Sequence, residues 1–314
     1  MNVIRPDFVW GLGSVSNAAD ITQIGLVEKA LDYRTWIHTG FDYQLNNAVL
    51  ARTLKNRSDR YLQLIAKVKA RDGETLVGQV DKLLSSLGIE NIALLQIADN
   101  PAGSLLLPGG ALRTAIEALK KAGKVGGALV EFFWEYSENL HEVAMDRFFD
   151  GAIFYFNVVH REVSNEVFDK LISSGRPIAA LKALGGGPDT LQGTAGRAAV
   201  NRFVPFLRRR GIARRLADLR RQAGISDEAE FRYRFLLSVP QVRWIVGGAS
   251  TEQHLNQAIR FVRESDPLPV DIRDRILSLQ AKTWSTAGLR IGAGTRRTFS
   301  EKVAEKLRAL RRLT

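Results

Sequence analysis

The chain has 314 residues, 45% of them hydrophobic, a formal net charge of +12 and no cysteine. That excludes a disulfide framework, a thiolate nucleophile and cysteine metal ligands, and the length suits one barrel-sized domain or two smaller ones. Residues 1–7 carry no apolar signal core and no apolar run is long enough to span a bilayer, so a cytoplasmic protein without a membrane partner is expected.

A short apolar run followed by an amphipathic helix recurs eight times between Asp7 and Glu264. The runs are 8–11, 35–38, 62–67, 91–97, 125–130, 152–157, 177–181 and 242–246, most of them rich in β-branched residues, as strands buried on both faces are. Residues 18–31, 76–87, 111–122 and 252–263 carry apolar side chains at three- and four-residue spacing, the mark of a helix with one buried face. Gly88, Gly123 and Gly175 stand where helix C-caps are expected. Eight consecutive strand–helix units predict an α/β fold, a single-domain (β/α)8 TIM barrel, with its chemistry on the loops that follow the strands.

Two stretches depart from the rhythm. The connection from 185 to 241 is long: it opens on Gly185-Gly186-Gly187-Pro188, holds a basic insertion at about 188–222 and ends in a predicted helix, 227–237. After the eighth unit, 272–282 is predicted helical, 288–298 loop and 300–313 a basic helix within a tail of about 282–314. Residues 208–221 hold seven arginines against one acid, and residues 282–314 nine basic residues against two acids, so the remainder is close to neutral. Charge placed in two attachments implies localised anionic partners. Phe203 and Phe206 are the only aromatics near the arginines, which disfavours a nucleic-acid surface and leaves a solvated helix face or an anion clamp.

The stretch Ile37-His38-Thr39-Gly40-Phe41-Asp42-Tyr43-Gln44, continuing through Ala48-Val49-Leu50-Ala51-Arg52, resembles the strand-two motif of the aldo/keto reductase superfamily. Ala66-Lys67-Val68, Leu94-Leu95-Gln96-Ile97-Ala98, Gly123-Lys124-Val125, Phe156-Asn157, Gly185-Gly186-Gly187 and Gly247-Gly248 follow in the family's order, so the resemblance covers roughly residues 8–260. It implies a barrel that reduces a carbonyl with NADPH: a tyrosine donates the proton, a lysine paired to an aspartate lowers the tyrosine's pKa, and a histidine orients substrate. Tyr43 falls on the tyrosine and Lys67 on the lysine; His38 stands at the aspartate position and Ala98 at the histidine position. Lys67 is therefore expected to lack a carboxylate partner. The residues that would grip the nicotinamide carboxamide are replaced by Glu131, Phe132 and Ile153, and the stacking ring by Leu181. Asn157, Gly185, Gly186, Gly248 and Ser250 fall on cofactor-binding positions.

The substrate side is expected to involve Glu131, Phe132, Trp134 and Lys182. Glu131, charged at a strand end, calls for a cationic partner such as Lys67 or Lys182. Lys182 admits three readings: an imine-forming amine, a receptor for an anionic substrate group, or a counter-ion to Glu131. The four histidines are scattered over different segments, so no metal site is expected. The expected function is NADPH-dependent reduction of a carbonyl on a small anionic molecule. Non-redox proton transfer, elimination or isomerisation on a barrel that has lost the nicotinamide is the alternative, and a catalytically inactive binding or regulatory barrel is the third.

Overall fold

A computed structural model describes residues 5–57, 62–98, 103–132, 140–159, 161, 163–185 and 206–286, with backbone alone at 14, 140, 141, 206–212 and 282–286. Eight strands form a closed all-parallel barrel in sequence order: β1 (Asp7–Gly11), β2 (Trp36–Gly40), β3 (Leu64–Val68), β4 (Ile92–Ile97), β5 (Val125–Glu131), β6 (Gly151–Tyr155), β7 (Ile178–Leu181) and β8 (Val242–Gly248). The expected TIM barrel is the observed fold. Helices alternate with the strands: α1 (Ile21–Asp32), α2 (Gln44–Lys55), α3 (Gly73–Leu87), α4 (Ala111–Lys121), α5 (Leu140–Met145), α6 (Asn165–Ser173), α7 (Phe206–Gln222), α8 (Glu228–Leu237), α9 (Glu252–Glu264) and α10 (Val270–Thr286). The arginine-rich segment is thus a helix, and residues 186–205 and 287–314, with most of the insertion's start and the basic tail, lie outside the described residues.

Short polar residues start the helices by taking up otherwise unpaired first-turn N–H groups. Asp20, Asp72, Ser164, Asp227 and Thr251 cap α1, α3, α6, α8 and α9, each worth about 1 kcal/mol. Gly88, Gly123 and Gly175 adopt the left-handed backbone at the predicted helix ends.

Strand alternation divides the apolar residues into two clusters. Outward-facing residues, including Trp10, Phe154 and Phe156, pack against the helices, with Phe149, Phe231 and Phe235 among the fully buried rings. Inward-facing Val9, Ile65, Leu94, Leu129, Ile153, Ala179, Leu181 and Val246 fill the barrel as a separate cluster, with Trp36, Tyr155 and Trp244 against it. Trp36 and Trp244 meet edge-on, centroids 6.2 Å apart. The barrel closes where β1 pairs with β8, Asp7 opposite Trp244 and Gly11 opposite Gly248. Trp10 Nε1 spans the same seam to donate to the Ala249 carbonyl at 3.1 Å, across 239 residues of chain.

Candidate active site

The inward positions one step nearer the C-terminal rim than that apolar plug are His38 on β2, Lys67 on β3, Gln96 on β4, Glu131 on β5 and Tyr155 on β6. Each lies two residues beyond a plug residue, or beyond Trp36 in the case of His38, and so shares its face. A polar layer therefore crowns an apolar one at the end of the barrel where such folds carry their chemistry.

Tyr43 is the residue before α2, three residues past the end of β2 in a tight loop. Its Oη lies 3.4 Å from Lys67 Nζ, and the same ammonium sits 4.4 Å from the centre of its ring. Lys67 Nζ is also 3.4 Å from Asp42 Oδ1, while Lys69 Nζ is 3.2 Å from Asp42 Oδ2. The expectation that Lys67 lacks a carboxylate is overturned: the partner comes from position 42, beside the tyrosine, instead of from β2. Burial pushes the Asp42 carboxyl upward, but Lys67 and Lys69 outweigh it and hold it below its ordinary value. A constellation of carboxylate, ammonium and phenol is complete on one rim.

Gly40 makes room for it. A Cβ at position 40 would stand 2.7 Å from Asp42 Oδ1, 3.0 Å from Lys67 Cε and 3.4 Å from Tyr43 Cδ1. The loop is further braced by Asn47, whose Nδ2 donates to the Gly40 carbonyl at 3.0 Å and whose Oδ1 accepts from Thr39 Oγ1 at 2.6 Å.

His38 shares the polar layer with Lys67, two residues before Gly40 on β2. Its Nε2 and Gln96 Oε1 are 2.6 Å apart, and both residues are buried. Burial lowers its pKa to about 4; the Gln96 contact works against that shift, while Lys67 and Lys182 add to it. At neutral pH His38 is an uncharged imidazole held as a hydrogen-bond partner. It does not replace the missing carboxylate.

Glu131 is buried at the end of β5, while the ion pair of Lys67 runs to Asp42. Phe132 faces outward and packs edge-on against Phe154, centroids 6.5 Å apart, in the barrel–helix layer. Trp134 and Gly186 lie outside the described residues. Gly248, the last residue of β8, and Ser250, on the loop before α9, are exposed, and a Cβ at Gly248 would meet nothing within 4 Å. Asn157 is buried just past β6: Nδ2 donates to the Lys182 carbonyl at 3.0 Å and Oδ1 accepts from the Val159 amide at 3.0 Å. Its amide is thus committed to holding two rim loops together.

Asp42, Gly40, Gln96 and Tyr155 were not singled out by the sequence. Asp42 had a local signal, adjacency to Tyr43 in the motif. Gln96 and Tyr155 had the period-two spacing from Leu94 and Ile153. The arginine helix α7 buries Leu216 and Leu219 and exposes Arg214, Arg215 and Arg221. At the opposite end of the barrel a small cleft contains Arg5 and Arg263, but both guanidiniums bind backbone carbonyls of helix ends.

Among the described residues no group of three or more histidine, aspartate or glutamate side chains is arranged to hold a metal, and no helix is long and apolar enough to cross a membrane. No protein-family model matches the chain, and no curated protein matches it in sequence.

Proposed function

We propose that the chain is a carbonyl reductase that uses NADPH, in line with its resemblance to the aldo/keto reductase superfamily. The observation that supports this reading is the Asp42–Lys67–Tyr43 constellation, with 3.4 Å on each side of the ammonium. Tyr43 gives its hydroxyl proton to the substrate oxygen as negative charge develops there. Lys67 stabilises the phenolate left behind, because an adjacent cation favours the charged form. Asp42 anchors the Lys67 side chain and offsets its charge. NADPH, when bound, supplies the hydride.

Residues on the rim fit such a dinucleotide. Tyr155 is half-buried, faces inward and pairs in register with Leu181, so it presents an aromatic face beside the position where the resemblance lacks one. The exposed backbone at Gly248 and Ser250 leads into the first turn of α9, where unpaired N–H groups favour anions.

One observation favours a second reading, proton transfer without nicotinamide. Glu131 and Ile153 stand where carboxamide-holding residues are expected, and the same end of the barrel holds a neutral buried imidazole, His38. Titration of tryptophan fluorescence with NADPH separates the two. Saturable binding, with turnover lowered about 100-fold or more in Tyr43→Phe, supports the reductase. Absence of binding at millimolar cofactor overturns it and leaves proton transfer.

A further inference from the structure

Lys182 follows the last residue of β7 and has φ of +57°, in the left-handed region that side-chain-bearing residues avoid. Such a conformation persists only where its surroundings impose it, and it recurs at ligand clamps. Here the surroundings are a continuous buried clamp. The Lys182 carbonyl accepts from Asn157 Nδ2 at 3.0 Å and from the Gly185 amide at 2.6 Å. Gln280 on α10, itself buried, donates to the Asn157 carbonyl at 2.5 Å. Arg232 on α8, 1% exposed, donates to the Leu184 carbonyl and is tied to Glu228. A Cβ at Gly185 would stand 3.1 Å from Arg232 Nη1, so the loop lies directly on the guanidinium. Asn157, just past β6, and Arg232 on α8 hold the backbone of one four-residue loop, and Gln280 on α10 holds Asn157 in turn.

Among the described residues, no hydrogen bond or ion pair engages the Lys182 side chain. The residue is exposed, and among the described residues no carboxylate stands within ion-pair distance of its ammonium. The ammonium is nevertheless close enough to the throat to act on buried His38, as Lys67 does. A second cation thus stands on the rim after β7, opposite the β3 position of Lys67 in the barrel, on a backbone fixed at some conformational cost.

We propose that Lys182 is the receptor for an anionic group of the substrate, a single carboxylate or phosphate carried apart from the reacting carbonyl. This rests on the reductase reading for the identity of the reaction, but the anion site itself does not depend on it. One ammonium is a point charge with no fork geometry, so it selects for charge more than for shape.

The test compares 4-carboxybenzaldehyde with benzaldehyde as substrates of the full chain in the presence of NADPH. The wild type is expected to favour the acid at least tenfold in kcat/KM, with the difference in KM. Lys182→Met, which keeps a side chain at the strained position, is expected to reduce that ratio about tenfold, and Lys182→Arg to retain most of it. Inorganic phosphate is expected to compete with the acid in the wild type and not in Lys182→Met; competition by phosphate tighter than by benzoate assigns the site to phosphate esters. An unchanged ratio in Lys182→Met overturns the proposal while the reductase reading stands. If the wild type reduces neither aldehyde, the reductase reading loses support, and benzoate and phosphate binding by calorimetry decides Lys182 alone: saturable binding lost in Lys182→Met supports it, and no binding to the wild type overturns it. Lys182→Gly, free of the backbone cost, reports on folding: a raised Tm with the same loss of preference is expected.

Discussion

The carboxylate of Asp42 and the ammonium of Lys67, 3.4 Å apart, join a loop residue to a strand residue on the rim where Tyr43 stands. Asp42 is 40% exposed, so the pair contributes little to global stability. Its consequence is positional: Lys67 is kept at the phenol oxygen rather than free to swing into solvent. Asp42→Asn is expected to lower kcat about tenfold, about 1.4 kcal/mol of barrel-rim stabilisation of the transition state, with Tm nearly unchanged. Steady-state kinetics with a carbonyl substrate check this; an unchanged kcat would remove Asp42 from the site.

Gly40 tests the same geometry without touching a polar group. Any Cβ there clashes with Asp42 Oδ1 and crowds Lys67 Cε, and only touches the Tyr43 ring. Displacements on the order of 1 Å at reacting groups cost up to about 100-fold in rate. Gly40→Ala is therefore expected to lose about 10- to 100-fold in kcat while keeping the circular dichroism of the wild type.

His38 gives the fold a calculable acid sensitivity. Its pKa is about 4 in the folded chain against 6.5 as the ordinary value. Between those limits the unfolded state holds the proton and the folded state does not, so stability rises with pH through this window and falls as pH drops from 6.5 towards 4. The full effect is on the order of 3 kcal/mol. Urea unfolding at pH 7 and pH 4.5 is expected to show a drop larger in the wild type than in His38→Gln by about 2–3 kcal/mol; equal drops would mean His38 is charged in the fold.

Arg232 is buried to 1% exposure with a partner, Glu228, that remains partly exposed. Removing it as Arg232→Met leaves the Leu184 carbonyl without its donor. Loss of about 2–4 kcal/mol is expected in chemical denaturation, and anion selectivity should fall in parallel with the loosening of residues 182–185. A stable variant with full selectivity would show that the clamp is dispensable.

The barrel was legible because its signal is repeated. Each of the eight strands overlaps its predicted run, and the differences are at the ends: β2 runs on to Gly40, and β6 stops at Tyr155, with Phe156 in an isolated bridge to Arg161. Tyr43 and Lys67 were legible from their motif context. Asp42 was not, because reading the motif position by position assigns the carboxylate's place to His38, and only the turn after Gly40 brings a neighbouring residue round to the same ammonium. Asn157 illustrates the opposite case: a polar residue in the expected place whose amide is occupied by backbone partners. The left-handed backbone at Lys182 had no sequence signal, since glycine or asparagine is the usual mark of that conformation.

The seam between β1 and β8 has a consequence for biosynthesis. Trp10 finds its hydrogen-bond partner only in Ala249, 239 residues later. The barrel therefore cannot close in a nascent chain, and strand edges already formed stay unpaired, until β8 has emerged. Such edges invite pairing with other chains, so this protein is most exposed to aggregation before β8 is made.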